Sequence, residues 1–300
     1  MPELPEVEIT ARLVDAAVRG ATVDSARAPG LATMQTFRPS LDALAGATLE
    51  AVGRRGKLLL VTFSGGGLGP AGEDEGRATL LMHLMSAGRL QLWETRATLR
   101  DRTARIVVRL EGGADGHEGE RELRLREFGT KQAAWGRLLR PADLAADETL
   151  TTLGPEAWPD PPELGALLPP RRTLRGAIRD QRVIAGIGRS WADEILWEAR
   201  LAPLRRCGDL DDEERARLRE AMRTVLGAAL ATYEETLALP LKDKLPLPLK
   251  VHRHVGKPCP RCGTEILAVH YEDDEMAYCP HCQTGDKPYK DRRLSRLLKD

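Results

Sequence analysis

The chain has no excess of either charge: 45 Lys and Arg stand against 45 Asp and Glu in 300 residues. DNA-binding domains are usually basic, so the overall balance counts against a nucleic-acid partner. The acid is unevenly spread, however. Two Gly-, Glu- and Asp-rich stretches, 66–76 and 111–120, carry seven acids and no Arg or Lys, which cluster elsewhere. Local charge, not the sum, sets a binding face. No apolar run is long enough to cross a membrane. Nothing at the start resembles a signal peptide, because the first twenty residues alternate charge with small apolar side chains. The expected location is therefore the cytoplasm. Internal repeats are lacking too. Cysteine is scarce, with five in all, and four of these form two Cys-x-x-Cys pairs. In a reducing compartment such pairs argue for metal rather than disulfides. Cys207 stands outside any motif and reads as a plain thiol.

What is present falls into four stretches. Residues 5–19 read as a helix, with Val7, Ile9, Leu13, Val14, Ala17 and Val18 on a broad apolar face. Pro5 suits its first turn, Glu6 and Glu8 its positive end, and Gly20 its stop. From about residue 47 to 135 the apolar period shifts toward two. Strands are expected at 58–63, 78–83, 90–93, 106–110 and 123–125, with the acidic stretches as hairpin loops. Prolines 155, 159, 161, 162, 169 and 170 then punctuate a linker. From about 174 to 236 the period is helical, and 239–249 is a second proline-rich connector. The expected domains are 1–135, a helix-capped β domain; 136–172, a linker; 173–250, a helical domain; and 251–300, a metal-binding ribbon with a basic tail.

The ribbon has the clearest chemistry. Cys259 and Cys262, then Cys279 and Cys282, are separated by sixteen residues. That spacing fits a tetrahedral Cys₄ site holding one structural Zn²⁺ with no open position. Residues 266–268 and 276–278 read as the arms of a hairpin between the knuckles. His252, His254, His270 and His281 are not needed as ligands and read as surface or phosphate-contacting side chains.

Several segments resemble the formamidopyrimidine-DNA glycosylase/endonuclease VIII family, in family order and across the whole chain. They are Met1-Pro2-Glu3-Leu4-Pro5-Glu6-Val7-Glu8, Arg54-Arg55-Gly56-Lys57, His83–Leu90, Arg126-Glu127-Phe128-Gly129, Asp180–Gly188 with Asp193–Leu196, and the ribbon. The resemblance implies an α+β multidomain fold: an N-terminal helix with a β-sandwich, a helix–two-turn–helix domain and a Cys₄ zinc ribbon. It implies a bifunctional DNA glycosylase and abasic-site lyase of base-excision repair, with damaged DNA as partner, working as a monomer and associated with the nucleoid when bound. The implied catalytic residues are Pro2, Glu3, Glu6 and Lys57.

The chemistry fits those residue types. With Met1 removed, Pro2 presents a secondary amine. A free α-amine has a pKa of about 8, and a helix N-terminus lowers it, so a neutral nucleophile exists at pH 7. Attack on the sugar C1′ gives an iminium (Schiff base) that promotes β- and then δ-elimination. Glu3 is the adjacent acid or base, Glu6 orients the site or its water, and Lys57 clamps a phosphate. Reaching C1′ requires flipping the nucleotide, and Met85, Arg126 and Phe128 are the expected wedge filling the gap. Met85 lies one place from the family position, and a buried strand methionine is the alternative.

Three departures stand out. The family's phosphate-binding Asn is Arg189 here, the hairpin Arg is replaced by Asp274, and the long segment that caps a flipped 8-oxoguanine is absent at 239–249. Arg189 and Asp274 are expected to form a coupled phosphate grip. The missing cap points toward oxidised pyrimidines, abasic sites or unusual lesions. The alternative function is a DNA-damage or abasic-site binding protein with glycosylase action reduced or lost. The tail 287–299 reads either as a basic amphipathic helix that extends DNA contact or as a solvated end.

Overall fold

The computed structural model describes residues 1–30, 32–69, 76–98, 101–128, 132–270 and 274–290. The chain opens with helix α1 (Leu4–Val18). Its buried stripe of Val7, Ala11, Val14 and Val18 recurs at helical spacing and joins the main core. Pro5 sits in the first turn, where its missing N–H would have had no intrahelical partner. Gly20, at φ 79°, ends the helix in a conformation that favours glycine.

Eight strands follow: β1 (Thr22–Arg27), β2 (Ala47–Arg55), β3 (Leu58–Gly65), β4 (Arg77–His83), β5 (Gly88–Trp93), β6 (Ala104–Glu111), β7 (Glu120–Glu127) and β8 (Trp135–Leu139). They form one antiparallel sheet in the order β5-β7-β6-β1-β2-β3-β4-β8. Register shifts in β1, β2 and β6 let it bend. A Cβ at Gly136 of β8 would lie 2.7 Å from Ile106 Cδ1 of β6, five places away in strand order. The sheet is thus folded back on itself as a sandwich, and both layers contribute to a single core that includes Leu59, Phe63, Leu80, Ile106, Leu125 and Leu138. All five expected strands are present, each slightly longer at one or both ends. β1, β2 and β8 were not individually legible, because their burial alternates weakly.

Two short helices, α2 (Pro141–Ala146) and α3 (Glu148–Thr151), complete this part of the chain. The helical half contains α4 (Leu174–Ile178), α5 (Arg189–Glu198) and the long α6 (Asp212–Thr236). A two-stranded hairpin, β9 (Leu267–His270) with β10 (Glu275–Tyr278), and the short α7 (Pro280–Thr284) follow. The loop between α4 and α5 is stapled by the Gln181 amide. It donates to the Arg179 and Ile187 carbonyls and accepts from the Gly186 N–H, at 2.8, 2.7 and 3.0 Å.

Composition divides the chain into four stretches, whereas contacts divide it into two units. These are Met1–Thr152 with Tyr233–Pro246, and Leu153–Thr232 with Leu247–Asp300. The ribbon and the helices share one unit because α5 carries two buried acids facing the ribbon's approach. Glu194 accepts the backbone N–H groups of Lys250, Val251 and His252. Asp193 accepts from the Ala277 N–H and holds the His252 ring at 2.8 Å. His252 is therefore a buried structural side chain, not the surface residue expected from sequence. Cys207 is buried, and that burial raises its pKa. Gly129, Glu272, Asp273 and residues 291–299 of the tail lie outside the described residues.

The β4–β5 turn bears on the site. Met85 adopts φ 47°, unusual for a residue with a side chain. His83 Nδ1 accepts its N–H at 2.9 Å, and the imidazole stacks on Trp135 with centroids 5.9 Å apart. Burial, aided by the nearby Lys57 charge, pushes the His83 pKa down to about 4. The folded chain thus binds this proton less tightly than the unfolded chain, whose His titrates near 6.5. Stability from this group is constant above that value and falls as pH drops from 6.5 through 4, by up to about 3 kcal/mol. Urea unfolding of wild type and His83→Gln across that window checks this, and the variant should show a flatter pH dependence.

Candidate active site and metal centre

In the first unit, the start of α1 gathers its polar side chains inward. Pro2 is buried beneath an exposed Met1. Glu3 and Glu6 are 2% and 5% exposed, unusually low for carboxylates. Glu3 is the N-cap and Glu6 the third helical residue, so the two face each other in a capping box. Glu6 Oε2 accepts the Glu3 N–H, and its Oε1 accepts the Tyr233 hydroxyl, both at 2.8 Å. Burial, then Glu6, drives the Tyr233 pKa well upward, so the phenol remains a donor. No signal in the sequence joins Tyr233 to Glu6, 227 residues away; the bond depends on the chain returning to the first unit.

Lys57 lies with Gly56 in the tight turn between β2 and β3. Gly56 has φ 56°, which a two-residue hairpin of this type requires at its first position. Lys57 is 8% exposed and close enough to His83 to depress that pKa.

Met85 is half-buried in the β4–β5 turn, not in a strand. Arg126 projects from β7, with Nε donating to Thr103 Oγ1 at 2.9 Å and Nη1 to Gln91 Oε1 at 3.2 Å. Its guanidinium lies 4.7 Å from the Phe128 ring centroid and 5.5 Å from that of Trp93. Phe128 is 37% exposed, and its N–H reaches the Ala87 carbonyl at 3.4 Å. The fold therefore brings the β4–β5 turn beside Phe128. Segment 239–246 lies against the same face. Gln91 Nε2 donates to the Leu241 carbonyl and to Asp243 Oδ1, the latter at 3.1 Å.

In the second unit, Arg189 opens α5 and is largely exposed. Its Nε lies 3.5 Å from Asp274 Oδ1. Asp274 also accepts from Arg175 at 2.7 Å and Arg179 at 2.5 Å. Burial works against its ionisation, yet Arg175 and Arg179 hold its carboxyl below the ordinary value. Buried Arg175 reaches Asp193 as well. Sequence reasoning singled out Arg189 and Asp274 but not Arg175, within the short α4, or Arg179, its C-cap.

The four sulfurs of Cys259, Cys262, Cys279 and Cys282 lie within 4.8 Å of one another. Separations of 4.0 Å for 259–282, 3.4 Å for 262–279 and 3.5 Å for 262–282 bracket the edge of about 3.8 Å that a tetrahedral site with metal–sulfur bonds of 2.3 Å would have. The set can hold one metal ion. The Trp197 indole N–H donates to Cys259 Sγ at 3.3 Å, tying the cluster to α5. Arg261 covers that indole at 4.0 Å.

The sequence model of the formamidopyrimidine-DNA glycosylase N-terminal domain matches residues 1–130, and that of the family's H2TH domain matches residues 165–240. A formamidopyrimidine-DNA glycosylase of Heliobacterium modesticaldum is 33% identical over 300 residues, covering 94% of this chain and 100% of that protein. An uncharacterized formamidopyrimidine-DNA glycosylase-like protein of Mycobacterium tuberculosis is 43% identical over 126 residues, covering 42% of this chain and 80% of its own. The Lactococcus lactis Fpg in complex with DNA containing an abasic site superposes with a TM-score of 0.77 at 21% identity, over 94% of this chain and 99% of that one, a likeness of fold. No helix among the described residues is long and apolar enough to cross a membrane. With a full-length relative at that identity and both domain models matched in order, the chain belongs to the formamidopyrimidine-DNA glycosylase family.

Proposed function

We propose that the chain is a base-excision-repair DNA glycosylase with abasic-site lyase activity, acting on damaged DNA through a Pro2 amine exposed by loss of Met1. What carries the reading is the buried Pro2-Glu3 start of α1, braced by Glu6, in a chain of this family. The Pro2 nitrogen uses its lone pair to bond C1′ and gives up its N–H proton, and the N-glycosyl bond breaks with its electron pair leaving on the base, which takes up a proton. Glu3 protonates the ring oxygen as the sugar opens to the iminium. Loss of a C2′ proton expels the 3′ phosphate, and a second elimination expels the 5′ phosphate. Glu6 positions the N-terminus, since both its oxygens are engaged by protein donors. Lys57 neutralises a backbone phosphate beside the flipped nucleotide.

Met85, Arg126 and Phe128 serve as the wedge. The adjacency of the β4–β5 turn to Phe128 supports this, as does the stacking of Arg126 on Phe128. Arg189 grips a DNA phosphate with Asp274 holding its inner edge, and Arg179 shares that carboxylate. Zn²⁺ in the Cys₄ cluster would be structural, because four thiolates leave no open position. Damage binding without base removal is a second reading. One observation favours it: a carboxylate stands at the hairpin position where a phosphate-gripping Arg is expected.

Borohydride trapping on abasic-site duplex should give a covalent adduct with the processed protein. It should give none with Pro2→Gly or with Met1 retained, and the N-terminus is checked by mass spectrometry. Intact binding without any adduct would establish the damage-binding reading. Arg189→Ala should weaken binding of the same duplex about tenfold, and the slope of log K against log salt should fall by about 1. Wild-type affinity for that variant would remove Arg189 from the grip. A strong chelator should release one Zn²⁺ per chain, lower Tm and shift the fluorescence of Trp197. Metal analysis before and after dialysis checks the stoichiometry.

A further inference from the structure

Gln91 lies in β5 between Leu90 and Leu92, whose side chains enter the core, so its own side chain stands on the opposite face of the strand. It is only 1% exposed there. A buried amide must have its donors and its acceptor met, and different elements meet them here. Nε2 donates to the Leu241 carbonyl and to Asp243 Oδ1, the latter at 3.1 Å. Oε1 accepts from Arg126 Nη1 at 3.2 Å. Two acceptors on one side and a guanidinium on the other admit only this orientation of the amide. In the register of β5 and β7, Gln91 stands opposite Arg124, which makes Arg126 its diagonal neighbour on the same face. Asp243 Oδ1 also lies 3.8 Å from Arg126 Nη1. Thr103 Oγ1 takes the Arg126 Nε–H, and the Phe128 and Trp93 rings pack against the guanidinium. Among the described residues Nη2 has no hydrogen-bond acceptor, so it is the donor left for a ligand.

We propose that Gln91 is a positioning residue for the wedge, carrying the fixed place of segment 239–246 to Arg126 so that Nη2 meets the base left unpaired opposite the lesion in one orientation. The inference rests on the wedge reading of Arg126 above and goes beyond it by giving Gln91 and segment 239–246 a task. A free arginine side chain samples several rotamers, and telling one base from another needs one of them. Thr103 ties Nε and Gln91 ties Nη1, which together fix the plane of the group. Gln91 is fixed in turn by a backbone carbonyl, and the segment that supplies it is anchored by the buried Leu241 side chain. An apolar side chain would fill the same space on β5 without needing any partner, so packing alone does not account for an amide there. The short segment 239–246 thus acts on the strand opposite the lesion rather than on the flipped base.

The test measures affinity for four duplexes that carry a tetrahydrofuran abasic analogue opposite adenine, cytosine, guanine or thymine, so that no bond is cleaved. Wild type should bind the best and the worst of them at least about fivefold apart, the low end of what a guanidinium–base contact supplies. Arg126→Ala should abolish that spread. Gln91→Met and Asp243→Ala should each reduce it at least about twofold, because a small displacement of a recognition group is costly. Asp243 is 55% exposed, so its variant reads the segment without burdening the core. Gln91→Met should weaken the best duplex in the wild-type background and not in the Arg126→Ala background, since it acts through that arginine. A merely structural glutamine would weaken all four duplexes alike in both backgrounds, and that result overturns the brace, as does an unchanged spread in either Gln91→Met or Asp243→Ala. A further duplex carries 2′-fluorinated 5-hydroxyuridine, which resists glycosyl cleavage, in place of the abasic analogue. An Asp243→Ala variant that changes the preference between those two lesions and keeps the opposite-base spread would place the segment over the flipped base and overturn the brace likewise. A wild type with no spread, or an Arg126→Ala variant that keeps it, overturns the wedge reading itself and the brace with it.

Discussion

The Glu6 carboxylate holds the first unit's functional end together. One oxygen takes the Glu3 N–H and the other takes the Tyr233 hydroxyl, so the start of α1 is fixed to a residue 227 positions away. A helix N-terminus has unsatisfied N–H groups and a partial positive charge. Glu6 answers both, and in doing so removes the play that Pro2 and Glu3 would otherwise have. The bond is buried, where a charge-assisted contact is strong and its loss costly. For the proposed Pro2 nucleophile, such pre-orientation lowers the entropic barrier to attack.

The zero net charge conceals two different uses of arginine. In the second unit, Arg175, Arg179 and Arg189 converge on Asp274, so they are ordered before any anion arrives. Arg126 in the first unit is similarly held, by hydrogen bonds and by stacking on Phe128 and Trp93. Such side chains lose little further freedom when they meet a ligand. Arg89, Arg105 and Arg121 are the contrast, each with a shielded Nε that has no partner among the described residues, and Arg89 faces Arg126 across the sheet.

Much of the fold was legible from local pattern. The stripe of Val7, Ala11 and Val14 marks α1, and alternating runs such as 58–63 mark the sheet. The strands that escaped notice are the weakly alternating β1 and β2 and the short β8, where a Cβ at Gly136 would meet Ile106 of β6 at 2.7 Å. Of the candidate residues, the cysteines and the Pro2–Glu6 run were readable because their spacing is itself the signal. Met85 could not be placed in a turn from sequence, because nothing local announces a methionine at φ 47° whose N–H is capped by a histidine. His252 was misread for a related reason: a polar side chain is expected outside unless the buried acid that satisfies it, here Asp193, is known.

The sequence alone determined the elements, the metal-ligand spacing and the family, because each depends on residues close in the chain or on motifs in a set order. Only the tertiary structure decided which charges are paired. It brought Tyr233 to Glu6, set three arginines on Asp274 and laid Asp243 against β5. Those pairings span 85 to 227 residues, a separation at which composition carries no information about contact. What the Pro2 end and the ribbon are made of was therefore readable at once, while how their charges are held depended on the fold.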